Sequence, residues 1–240
     1  MSSKLDFSAT WASVSRRDIS ENWRGVKARL AQGMRIKMLT DGSRGFIEYL
    51  PGEHCFRVVK AKGHMFIHCT WIVGKRNQGQ GHGSYLLEQC ISDVKRSGML
   101  GIATVTHQRV WIASDGLFAR SGFEVVDEAL GFHLLVRRFK PDVPVPVFPR
   151  NWAKWAAAYP NGLTVFRSDQ CPCIIDATET IVRAAHKRNI DVDVVEMKPA
   201  PQIRRVSPTP YGVFGVVFQG KPLSYHYVLE KYFDHLLAAV

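Results

Sequence analysis

The sequence predicts an α/β (α+β) protein of two units: a mixed, mostly antiparallel sheet with flanking helices, then a small α/β domain. Three observations predict it. Residues 65–98 read as strand, glycine-rich turn and helix. Short apolar runs separated by turn residues lie before and after that block, the pattern of neighbouring strands. Residues 140–149 carry a proline every two or three positions, a stretch that cannot donate regular backbone hydrogen bonds and reads as a linker. The expected division is 1–140, a linker at 141–160, and 161–240.

Taken in order, residues 1–20 are polar and expected to be loosely ordered. Residues 21–32 place Trp23, Val26 and Leu30 at helical spacing, and 34–50 alternate as strands. Pro51-Gly52-Glu53-His54 is a turn signal, followed by expected strands at 56–61 and 64–73. In the next helix Leu86, Leu87, Cys90, Ile91 and Val94 share one face, and Gly98 ends the pattern. Residues 101–106 read as a strand, and 117–126 as a short helix, a Gly-Phe turn and a strand. Trp152 to Ala156 form a short amphipathic segment. Beyond it come an expected strand at 162–166, a helix at 174–187, strands at 191–195 and 213–218, and a terminal helix running to about 237.

The glycine turn, Val73-Gly74-Lys75-Arg76-Asn77-Gln78-Gly79-Gln80-Gly81-His82-Gly83-Ser84, is where chemistry first shows. Glycines let the backbone approach a ligand, and the first N–H groups of the following helix point outward, which makes an anion site suited to a diphosphate. No Gly-Lys-Ser/Thr closes the turn, so it is not a Walker loop. No acidic residue stands ~20 positions on, so it lacks the dinucleotide fingerprint.

The spacing Gln78-x-x-Gly81-x-Gly83 after a strand valine, with Leu117 to Val126 at the expected distance, resembles motifs A and B of the GNAT superfamily (Gcn5-related N-acyltransferases). The resemblance covers roughly residues 20–140. It implies a sheet splayed open where acetyl-CoA or another acyl-CoA inserts. No metal is expected, because no second Cys/His pair has ligand spacing. The resemblance also implies that Gln78, Gly79, Gln80, Gly81, His82, Gly83 and Ser84 hold the diphosphate. A backbone N–H among Trp71, Ile72 and Val73 then meets the donor carbonyl and stabilises an oxyanion. Many members have a tyrosine four residues before the Gly-Phe turn that protonates the leaving thiolate. Phe118 stands there and has no proton to give.

For the base, His68 lies among apolar neighbours on its strand and titrates near neutrality when unperturbed. Alternation places Phe66, His68 and Thr70 on one face and Ile67, Cys69 and Trp71 on the other. Glu48 is a second candidate, because a carboxylate within an apolar strand is costly to bury unpaired. Thr106, with His107, is a third. Cys69 as an acyl-carrying nucleophile and Gln108-Arg109 as an anion contact complete the set.

In the second unit the order β-Cys-α-β-Pro-β-α is similar to a thioredoxin or glutaredoxin fold, and its joining to a GNAT module resembles proteins with a C-terminal YoaP-like domain. Cys171 would start a helix, where the dipole favours thiolate. The position three further on is Ile174, and a Cys171–Cys173 disulfide would be strained, so two readings stay open: a lone reactive thiol or a binding relic of a redox fold.

Of the 240 residues 46% are hydrophobic and 22% charged, as in soluble globular proteins. Five scattered cysteines and the absence of a signal-peptide pattern or a long apolar run suggest a reducing cytoplasm and no membrane partner. The net charge of +11 suits an anionic co-substrate and admits a polyanion as well. The leading reading is therefore N-acyl transfer from acyl-CoA to a small-molecule amine. Two alternatives are an aminoacyl-tRNA-dependent transferase on the same fold, with tRNA as partner, and a redox-sensing or binding protein working through Cys171.

Overall fold

A computed structural model describes residues 26–40, 43–108, 112–170, 173–198, 200–225, 228 and 230–238, and these build two sheets. After helix α1 (26–31), the first sheet contains β1 (Arg35–Met38), β2 (Gly45–Pro51), β3 (His64–Ile72), β4 (Gly101–His107), β5 (Glu124–Ala129) and β6 (Phe132–Arg138). The order is β1-β2-β3-β4-β6-β5, all antiparallel except β3 with β4. Helix α2 (His82–Arg96) makes the crossover between those two parallel strands, and α3 (Asp115–Ala119) follows β4. The sequence left β6 unassigned.

The sheet splits where β3 meets β4. Their ladder runs from His64↔Gly101 to Ile67↔Thr104 and stops, although β3 continues to Ile72 and β4 to His107. On the other side of β3 the pairing jumps from Tyr49↔Ile67 to Glu48↔Cys69, so His68 is the extra residue of a β-bulge. A bulge bends its strand and increases local twist, and this one begins where the parallel pairing ends. The expected alternation is corrected by it. Past the bulge Cys69 and Trp71 stand opposite Glu48 and Phe46, whereas Thr70 and Ile72 stand opposite Ile47 and Gly45. Thr70 therefore shares the face of Ile67, not that of His68.

One face of this sheet is covered by α2 and α3. Ile47, Tyr49, Ile67, Ile102 and Leu135 pack there against the five predicted α2 residues, Phe118 and Phe123. Phe118 is 1% exposed, and its ring meets Phe123 edge-on at 5.4 Å. Phe118→Ala is expected to cost about 3–5 kcal/mol of stability, read by denaturant unfolding.

The second sheet contains β7 (Leu163–Arg167), β8 (Val192–Glu196), β9 (Phe214–Phe218) and β10 (Lys221–Ser224) in the order β10-β9-β7-β8. Helix α5 (Cys173–His186) joins the parallel pair β7 and β8, and α6 (Ala200–Val206) precedes β9. Neither α6 nor β10 was expected. A strand stands where the terminal helix was predicted to begin, and the described residues beyond it form a 3-10 turn and α7 (Phe233–Leu237).

The other face of the first sheet packs on this second unit. One apolar cluster runs from Phe66, Val105 and Phe132 through Trp152 and Ala156 of α4 (Trp152–Ala157) to Val165, Phe166 and Val216. The proline-rich stretch is wedged rather than free: Val147 bridges to Lys60, and the Phe148 N–H donates to Asp127 at 2.8 Å. The strand expected at 56–61 is instead a loop. Its Val58 N–H donates to Pro210 O and its Lys60 N–H to Val147 O, so its backbone serves the junction, not a sheet.

Candidate functional site

The glycine turn follows β3 at the end where the strands diverge. Gly79 and Gly81 have φ of +78° and +82°, and a side chain at either would meet nothing within 4 Å. Conformation, not crowding, requires glycine here. Gly81 is the left-handed residue before α2 and, as a glycine, supplies no side-chain cap to the helix start. The first amides of α2, at His82, Gly83 and Ser84, are those any helix leaves without an internal partner. Lys75 and Arg76 are exposed beside the turn, and Asn77 Nδ2 donates to Val73 O at 2.8 Å, holding its shape. A concave anion site results, with a positive helix end beneath it.

On β3 the amides divide. Val73 N–H donates to Arg44 O at 2.7 Å and so is not available to a ligand. Strand alternation turns the amides of Thr70 and Ile72 the opposite way, toward the opening beside β4. The sequence-based set Trp71, Ile72 and Val73 thus narrows to Ile72, with Thr70 added. The Thr70 hydroxyl is buried on the helix-covered face without a hydrogen-bond partner among the described residues. A buried polar atom left in that state costs about 1–3 kcal/mol, which a bound polar group would relieve.

On the opposite face, at the bulge, Glu48 and His68 meet. His68 Nε2 accepts the Phe56 N–H at 2.9 Å, and its Nδ1 lies 3.3 Å from Glu48 Oε1. Accepting at Nε2 places the ring proton on Nδ1, which donates to the carboxylate. Both ring nitrogens are therefore engaged. Burial, aided by the charges of Arg57 and Arg29 and opposed by Glu48, pushes the imidazole down to about 4. Burial alone would raise the Glu48 carboxyl, but the His68 hydrogen bond and the charges around it hold it below its usual range. The expectation of His68 as the base gives way on this geometry: its lone pair is occupied, and what it orients is Glu48.

Sequence reasoning missed the rest of this cluster. Arg57 donates to His68 O at 3.1 Å and to Gln170 Oε1 at 3.4 Å, and lies over the Tyr211 ring at 4.7 Å. Gln170 Nε2 donates to Glu48 Oε1 at 3.4 Å. Arg29, 2% exposed, pairs with Asp169 at 3.4 Å. One signal was readable: a lone arginine in the apolar run Cys55-Phe56-Arg57-Val58-Val59. Two of its partners, Gln170 and Tyr211, lie more than a hundred residues away and left no local mark.

The buried His68 makes stability depend on pH. Its unfolded value lies near 6.5 and its folded value near 4, so the unfolded chain binds the proton first. The contribution is complete above pH 6.5 and is lost as pH falls toward 4, a change of roughly 3 kcal/mol. Unfolding midpoints between pH 7 and 4 should fall, and should fall less in His68→Gln.

Thr106 is fully buried and donates its hydroxyl to Asp115 Oδ1, whose Oδ2 accepts His133 Nδ1 at 2.7 Å. It ties β4, α3 and β6 together rather than facing an open site. His107 Nε2 lies 2.8 Å from the Tyr225 hydroxyl of the second unit. Cys69 is half-buried on the bulge. Cys171 and Arg109 lie outside the described residues, as do Arg16, Arg17 and Arg24 of the basic N-terminal third. No helix among the described residues is long and apolar enough to cross a membrane, and no three of their His, Cys, Asp or Glu side chains group as for a metal ion.

No family model matches the chain. It is 26% identical over 222 residues to a protein of Bacillus subtilis (strain 168) described as the uncharacterized N-acetyltransferase YoaP, covering 91% of this chain and 87% of that one. Among solved structures it is similar to the PaiA N-acetyltransferase of Thermoplasma acidophilum in complex with coenzyme A. The identity is 16% and the TM-score 0.37, over 55% of this chain and 85% of that one. A GNAT family acetyltransferase of Brucella melitensis in complex with acetyl-CoA gives 20% and 0.36, over 55% and 75%. At these scores the likeness to solved structures adds nothing to the geometry above.

Proposed function

We propose, from the premise that this chain belongs to the GNAT superfamily, that it moves an acyl group, acetyl first of all, from acyl-CoA to the amine of a small molecule. The observation that carries this reading is the open glycine turn at the start of α2, placed where β3 and β4 part. A diphosphate on the α2 amides directs the rest of the donor along the opening between the strands. The Ile72 and Thr70 amides then polarise the thioester carbonyl, and the oxyanion that forms there gains most from fixed donors in a dry site.

An acceptor that arrives as its ammonium first loses one proton to solvent, and the neutral amine that results is the nucleophile. Its nitrogen bonds the carbonyl carbon, the carbon–sulfur bond breaks, and the amine proton passes to Glu48. The thiolate leaves as such. Phe118, buried against Phe123, offers it no proton, and an alkyl thiol with a pKa near 8.5 is a competent leaving group unaided. His68 holds the Glu48 carboxylate from beneath. Thr106 contributes by fixing α3 to β4.

Calorimetric titration of the full chain with acetyl-CoA tests the reading. Saturable binding with a micromolar dissociation constant, weakened by added salt, is expected. No heat of binding up to about 1 mM overturns it. Thiol release from acetyl-CoA in the presence of a panel of amines then identifies the acceptor.

A further inference from the structure

We propose that the acceptor's ammonium group is held at the junction of the two sheets, on Glu48 Oε2, and that the second unit builds this site through Gln170. That the amine bound there is an acyl acceptor rests on the transferase reading above.

The direction of approach follows from the fold. The face of β3 and β4 that carries α2 is closed by the helix and by a donor lying on its amides. An acceptor must then reach the opening from the other face, where Glu48, His68 and His107 stand and where the second unit packs. The second unit touches both lips of that opening. Gln170 meets Glu48 on the β2–β3 side, and Tyr225 meets His107 at the end of β4.

The carboxylate is prepared in one direction. His68 Nδ1 and Gln170 Nε2 both donate to Oε1. Oε2 has no hydrogen-bond partner among the described residues, and the side chain keeps 12% of its surface exposed. Gln170 cannot turn its amide over. Arg57 is purely a donor, so it takes the amide oxygen and leaves the NH₂ for the carboxylate. The other charges around Glu48 are committed as well. Arg29 pairs with Asp169, Arg57 is bound to Gln170 and His68 O, and His68 is neutral. Oε2 is therefore a fixed anionic oxygen at a nearly closed junction, which suits the N–H donors of a compact primary ammonium.

The test titrates the full chain, carrying ¹³C-labelled glutamate, with ethylammonium chloride at pH 7, with tetramethylammonium chloride as the control lacking N–H. Glu48→Gln assigns the Glu48 carboxyl resonance. A saturable shift of that resonance with ethylammonium alone is expected. In Gln170→Met, which keeps volume and loses both hydrogen bonds, the affinity should fall about fivefold or more, with acetyl-CoA affinity unchanged. If Gln170→Met does not fold, Gln170→Asn, which withdraws the amide by one methylene, serves in its place with the same expectation. No saturable shift, an equal shift with tetramethylammonium, or an unaltered affinity in the folded Gln170 variant overturns the proposal. Failure of the unmutated chain to bind acetyl-CoA sinks the transferase reading instead, and the ammonium titration still decides this one.

Discussion

Replacing Glu48 with Gln should lower kcat by about 10²–10³-fold while leaving acetyl-CoA affinity within a factor of two or so. The substitution is nearly isosteric. Its amide oxygen can still accept from His68 and Gln170, so the junction keeps its shape, but the oxygen facing the amine is replaced by an NH₂ group or loses its charge. In the proposed mechanism the lost work is taking up the amine proton as the carbon–nitrogen bond forms. In the unmutated enzyme the rate should fall on the acid side as the amine and Glu48 both become protonated, and the limb due to Glu48 lies low because its carboxyl is held below the usual range. His68→Gln should behave differently. It leaves the carboxylate in place but removes the support at Oε1, so the Glu48 limb moves to higher pH and kcat falls by about tenfold, not a thousandfold. If Glu48→Gln retains full kcat with any amine the enzyme accepts, the proton acceptor lies elsewhere.

The contrast between these residues shows what a sequence can disclose. The α2 face was legible to the residue, because a helix repeats its apolar positions at fixed spacing and Gly98 ends it with a positive φ. The glycine turn was legible because its backbone conformation needs glycine, and conformation is written locally. The bulge at His68 was not. Alternation assumes an unbroken strand, and one extra residue moved Thr70 and Cys69 to the faces opposite those expected. The polar network was half visible: Glu48 and His68 stood out as misfits in apolar strands, but which of them carries free bonding capacity depends on Phe56, Arg57 and Gln170. Such long-range partners have no signature in spacing. The loop at 56–61 failed for a related reason. Its valines are as buried as a strand's, but they are buried between two units, with hydrogen bonds sent to Pro210 and Val147.

Gly83→Asp should separate stability from binding, moving them in opposite directions. Gly83 is the second residue of α2, its φ is ordinary, and a Cβ there would sit 3.7 Å from the nearest Leu117 methyl, a normal contact. Losing the flexibility of glycine within a helix contributes about 0.5–1 kcal/mol. A carboxylate in the first turn adds about 0.3–1 kcal/mol through the uncapped amides and the helix dipole. The variant should therefore unfold later than the unmutated chain. The same carboxylate stands where the diphosphate of the donor would sit, competing for its amides and repelling its charge, so acetyl-CoA affinity should fall by about 100-fold or more. Gly83→Ala supplies the control: it should stabilise by the smaller backbone amount and leave affinity nearly unchanged, since the methyl group points into ordinary van der Waals space. Calorimetry and thermal unfolding on the three proteins read both quantities. A Gly83→Asp protein that is more stable yet binds acetyl-CoA as tightly as before would mean that the α2 amides do not hold the donor's phosphates.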